Sequence, residues 1–123
     1  MSDRLPVDKV LLLELLQEAT LARLDKESLE VYAKRYSSDS STERLLTDVA
    51  ILACDRFLSR DSSFWEVVSA LNCLMATAGW GRGDAPVAFW EVFIAFDDFD
   101  VSPDPEEDAR PRIEQELARL RAV

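Results

Sequence analysis

The side chains that most often carry catalysis are scarce in this 123-residue chain. It contains no histidine, so a Ser-His-Asp triad, an H-E-x-x-H zinc site and a Glu-x-x-His di-iron site are excluded. Its two cysteines, Cys54 and Cys73, form no C-x-x-C motif, and we interpret them as buried, reduced thiols. Carboxylate pairs can perform acid–base catalysis, but no spacing singles out one pair among 24 acids. We therefore predict a protein that is not an enzyme and that uses no cofactor or metal.

Carboxylates are abundant and unevenly distributed along the chain. Nine of the 24 acids lie between Asp84 and Asp108, an interval without lysine or arginine, which leaves 15 acids and 14 bases elsewhere. Self-repulsion makes such a block unfavourable in a compact state, so it needs a compensating reason: solubility, helix-end electrostatics or a basic partner. The nine acids are Asp84, Glu91, Asp97, Asp98, Asp100, Asp104, Glu106, Glu107 and Asp108.

Two explanations apply to different parts of this acidic block. The acids from Asp104 to Asp108 precede the last predicted helix, whose positive N-terminal end stabilises negative charge. Asp97, Asp98 and Asp100 follow the end of the preceding helix, where the dipole disfavours them, so they point to a functional acidic surface. A loop started at Asp98 lacks the turn glycine and the final bidentate acid of an EF-hand, so no calcium site is predicted.

The three tryptophans are the second feature that suggests binding. The segment Phe64–Leu71 is echoed by Phe89–Phe96, with five of eight positions identical. In each copy the tryptophan lies about 100° around the helix from the phenylalanine, on the helix flank. Tryptophans in a small domain are usually core residues, but Trp80 or Trp90 exposed beside the acidic block would form an aromatic anchor ringed by carboxylates.

The elements that must position these residues are predicted to be helices, because glycine and proline are few and apolar residues recur at helical spacing. A first helix runs from Pro6 to about Arg23, and a second is capped by Asp25, although nothing forces a break between the two. Residues 37–41 form a polar loop, and Ser40 with Glu43 has the spacing of a capping box that opens a third helix.

The second half of the chain has clearer boundaries. Ser63 and Glu66 form another capping box, and the helix that they open stops at Gly79. Residues 79–85 are a glycine-rich loop, and Pro86 starts a helix that we prefer to a strand because apolar alternation fails. Residues 97–108 are an acidic helix end and loop, followed by a last helix that begins near Asp108. We predict a single all-α domain over residues 1–123, a compact bundle of five or six helices.

Bulk composition restricts the partners. A net charge of −10 would be repelled by nucleic acid and by anionic lipid, so we expect neither to be bound directly. No window of about 18 apolar residues is present, and residues 1–6 lack a basic leader, so we expect a soluble, cytoplasmic protein.

These observations favour a protein-binding function. We expect a small acidic inhibitor of immunity or antitoxin type that neutralises a basic toxin, nuclease or other effector. The alternative is an adaptor or chaperone subunit that homodimerises or joins a complex through its Phe/Trp-rich helices. The residues expected to contact a basic partner are Trp80, Asp84, Trp90, Glu91, Asp97, Asp98, Asp100 and Asp104.

Overall fold

The computed structural model describes residues 7–36, 42–79 and 85–122, and the described residues form only helices and their connections. Six helices have 11 to 17 residues, and a seventh is a single four-residue turn. The predicted all-α bundle is confirmed. The elements are α1 (Val7–Thr20), α2 (Lys26–Tyr36), α3 (Thr42–Leu58), α4 (Phe64–Ala78), α5 (Val87–Asp97), α6 (Pro105–Asp108) and α7 (Arg110–Ala122).

The first two helices are separate, which decides a point that the sequence left open. The chain turns at Ala22, which has a φ of 55°. Asp25 then caps α2, because its carboxylate accepts hydrogen bonds from the amide and the hydroxyl of Ser28, at 2.8 and 2.7 Å. These hydrogen bonds hold the pKa of Asp25 below its usual value.

Both ends of α4 follow the prediction from sequence. The Ser63 hydroxyl accepts from the Glu66 amide, the Glu66 carboxylate accepts from the Ser63 amide, and together they form a complete capping box. Gly79 ends the helix in the left-handed conformation that glycine adopts without steric cost. The other predicted capping box includes Ser40, which lies outside the described residues.

The segment from Asp97 to Asp108 contains more structure than predicted. We expected a loop there, but Pro105–Asp108 form the helical turn α6. Proline at the first helical position and acids in the first turn both favour a helix start, which explains the difference. Pro111 lies in the first turn of α7, where a missing amide hydrogen is tolerated.

The core is centred on α3, which packs against α1, α2, α4, α5 and α7. Its predicted inward positions are all fully buried: Leu46, Val49, Ala50, Ala53 and Phe57.

At one end of the bundle the Phe57 ring packs edge-on against Phe96, with centroids 5.2 Å apart, and against Phe64 at 6.4 Å. This aromatic cluster fixes the start of α4 beside the end of α5. Within the described ranges, no helix is long and apolar enough to cross a membrane.

Candidate protein-binding site

The connection between α5 and α6 is an ordered turn that projects acidic side chains outward. Successive backbone hydrogen bonds run from Phe99 N to Phe96 O, from Asp100 N to Asp97 O and from Ser102 N to Phe99 O, each at 3.0 to 3.1 Å. Phe99 packs against the core, so its polar neighbours are directed to solvent. The dipole of α5 leaves partial negative charge at this end, which strengthens the local negative potential.

Arginines from distant parts of the chain neutralise three acids of the block. Arg119 binds Glu91 at 2.7 Å, and Arg112 binds Asp98 at 3.0 Å, both from α7. Arg60, in the α3–α4 connection, binds Glu107 at 3.1 Å, and this hydrogen bond lowers the pKa of Glu107.

Two more acids of the block serve structural roles. Glu106 accepts a hydrogen bond from the backbone amide of Phe64, and Asp108 accepts one from the hydroxyl of Ser102. The first bond ties α6 to the N-terminus of α4, and the second holds the α5–α6 connection against α6. Five acids of the block therefore have partners within the fold, and Asp98 is the only one of these among the three acids, Asp97, Asp98 and Asp100, for which the sequence suggested a functional acidic surface.

The acids that remain are concentrated in one place. Asp97, Asp100 and Asp104 are exposed, and no lysine or arginine of the described ranges pairs with them. Val101 lies between them with 92% of its surface exposed. We call the set Asp97, Asp98, Asp100, Val101 and Asp104 the acidic connection. It contains four carboxylates and the exposed apolar side chain of Val101. Within the described residues, one of the four carboxylates, that of Asp98, pairs with an arginine, Arg112.

The tryptophans are placed differently from one another. Trp80, like Asp84, lies outside the described residues. Trp90 is half-buried and stacks on Phe93, with ring centroids 5.6 Å apart. Of the two tryptophans that the structure describes, Trp65 is the more exposed, with 51% of its surface accessible, and it packs edge-on against Phe64 at 4.9 Å.

Our prediction favoured Trp80 and Trp90 over Trp65 because of their nearness in sequence to the acids. The echo between Phe64–Leu71 and Phe89–Phe96 placed both Trp65 and Trp90 on a helix flank, and it is the packing of the helices that leaves Trp65 more exposed than Trp90.

The sites that could carry chemistry are few. Among the residues described, no group of three or more His, Cys, Asp or Glu side chains is arranged to hold a metal ion. Cys54 is fully buried, and burial raises the pKa of its thiol to about 12, so the thiol is protonated at neutral pH.

The groove between α1 and the α3–α4 connection is lined by side chains of both charges, including Glu18, Arg23, Arg56 and Asp61. Arg56 uses its guanidinium to hold that connection, by donating to the Ser62 hydroxyl at 3.2 Å and to the Asp61 carbonyl at 3.4 Å. Comparison with protein-family models, curated proteins and solved structures finds no match for this chain.

Proposed function

We propose that this protein is a non-catalytic binding module, an acidic inhibitor of immunity or antitoxin type, and that the acidic connection contacts a basic protein partner. One observation carries the proposal: Asp97, Asp100 and Asp104 are exposed near Val101 and have no basic partner among the residues that the structure describes, while Glu91, Asp98 and Glu107 of the same block pair with arginines. Within the described residues, these three aspartates face solvent without an arginine partner.

The composition of the acidic connection suits a basic protein surface. Charges around an interface mainly steer the encounter and select the partner, while a central apolar contact contributes to affinity. Asp97, Asp100 and Asp104 supply the charged rim, and Val101 supplies the apolar centre. A toxin or nuclease that binds nucleic acid carries the complementary basic surface, which an acidic inhibitor would cover.

The proposal is tested by capture from the native host with matched baits. Wild-type protein is compared with the triple variant Asp97→Asn, Asp100→Asn, Asp104→Asn. The control variant carries Glu14→Gln, Glu30→Gln and Glu114→Gln, which remove the same charge from exposed positions elsewhere.

We expect wild type and control to retain the same basic protein at low and moderate salt and the triple Asn variant to lose it. The proposal fails if all three baits retain the same partner, or if the partner retained is not basic.

A further inference from the structure

The outward face of α4 carries no charged side chain. Trp65, Ser69, Asn72 and Ala76 are all exposed and, with spacings of four, three and four residues, lie along one side of the helix. The only charged residue of α4 is Glu66, about 100° around the helix from Trp65. In a chain where 31% of residues are charged, this face has the charge depletion that marks the centre of an interface.

The spacing of these four residues along α4 is the same when read from either end of the helix. A second α4 laid antiparallel across the first, about a two-fold axis between Ala70 and Leu71, brings Trp65 opposite Ala76 and Ser69 opposite Asn72. The largest side chain of the face then meets the smallest, as close packing requires. The amide nitrogen of Asn72 already donates to the Val68 carbonyl at 3.0 Å, so its oxygen can accept from the opposing Ser69 hydroxyl.

The charge distribution favours a second copy in this orientation. Two chains of net charge −10 repel each other, so they approach most easily through a face without charge. The acidic connection lies near the N-terminus of α4, because Glu106 in the adjoining turn α6 binds the Phe64 amide.

An antiparallel pair separates the two acidic connections by about the length of α4, roughly 20 Å, which exceeds the Debye length of about 8 Å at physiological salt. A parallel pair would place them side by side.

We propose that this protein forms a homodimer through the outward face of α4, with Trp65 of each copy packed on Ala76 of the other. The acidic connection lies outside this contact and stays accessible at both ends of the dimer. The inference is independent of the proposed function, because it uses a different surface.

Sedimentation velocity over a range of protein concentrations tests the dimer. Wild type should dimerise, and added salt should strengthen the dimer by screening repulsion. Ala76→Glu should raise the dimer Kd at least tenfold, whereas Gln115→Glu, the same charge change on the exposed face of α7, should leave it within twofold. Wild-type protein that is monomeric at several hundred micromolar would overturn the proposal. It would do so even if a different protein covers this face.

A size swap tests the register of the contact. Trp65→Ala should weaken the dimer, and adding Ala76→Trp should restore it, because the large and small residues again oppose each other. Circular dichroism confirms that each variant is folded. A double variant no stronger than Trp65→Ala would overturn this packing. The triple Asn variant of the acidic connection should still dimerise, so failure of the proposed function can be told apart from failure of this inference.

Discussion

The backbone amide of Phe64 donates a hydrogen bond to the carboxylate of Glu106, 42 residues later in the chain, at 2.5 Å. An acid of the block thus satisfies one of the amides that the first turn of α4 leaves without an intrahelical partner. The contact joins α6 to the aromatic cluster of Phe57, Phe64 and Phe96, so it also fixes where the acidic connection begins and ends.

Removal of the Glu106 carboxylate should destabilise the protein. We expect Glu106→Ala to lower the free energy of unfolding by about 1 kcal/mol, because the Phe64 amide loses a charged acceptor. Urea unfolding followed by circular dichroism measures the change. The matched control, Glu114→Ala on the exposed face of α7, should change stability little. Equal effects of the two substitutions would show that the contact contributes nothing to stability.

The pair between Arg60 and Glu107 should make stability depend on pH. The pKa of Glu107 is lowered in the folded state by its hydrogen bond to Arg60, so its contribution is present above the unfolded pKa of about 4.3. That contribution is lost as the pH falls through the lower, folded pKa. Wild type should therefore be more stable than Glu107→Gln at pH 7, and the difference should shrink towards pH 3. A difference that is constant over this range would contradict the pairing.

The buried aromatic cluster should dominate stability at this end of the bundle. We expect Phe57→Ala to lower the free energy of unfolding by about 3 to 5 kcal/mol, because it leaves a cavity between Phe64 and Phe96 and removes the ring beneath Arg110. Val101→Ala, at a side chain that is 92% exposed, should have almost no effect. Thermal unfolding of both variants tests this contrast, and similar losses would mean that the cluster is not packed as described.

The two cysteines should differ in reactivity. Cys54 is buried and its thiol pKa is raised to about 12, whereas Cys73 is partly exposed on α4. A disulfide reagent at pH 8 should therefore modify Cys73 in the folded protein and reach Cys54 only on unfolding. The variant Cys73→Ser leaves Cys54 as the only thiol of the chain, so its labelling can be measured alone. Rapid labelling of native Cys73→Ser protein would show that Cys54 is accessible.

Local sequence signals predicted the helices well. Ser63 and Gly79 act through hydrogen bonds and backbone angles within a few residues, so their positions alone identified the ends of α4, whereas Asp25 was named as a cap without settling whether α1 and α2 are separate. Burial of Phe57 followed from periodicity for the same reason. The sequence did not predict the helical turn α6, because a proline followed by acids within a loop is also compatible with irregular structure.

The electrostatics of the acidic block could not be predicted in the same way. Arg119 and Arg60 reach their partners across 28 and 47 residues, and only the packing of α7 and of the α3–α4 connection brings them there. A sequence records the sign of each charge but not its neighbours in space. For that reason the sequence showed where the block lies along the chain, while the three described acids of the block whose side chains have no arginine or hydrogen-bond partner in the described residues, Asp97, Asp100 and Asp104, emerged only from the fold.

We propose that Asp97, Asp100 and Asp104, which have no basic partner in the described part of the chain, guide a basic protein to the acidic connection. Stopped-flow measurement of the association rate constant with the purified partner, at several ionic strengths, separates this electrostatic guidance from other contributions to binding. For the triple Asn variant we predict an association rate roughly tenfold below that of wild type at low salt, with a weaker dependence on salt and a nearly unchanged dissociation rate. An association rate and a salt dependence equal to those of wild type would show that the three aspartates do not guide the partner.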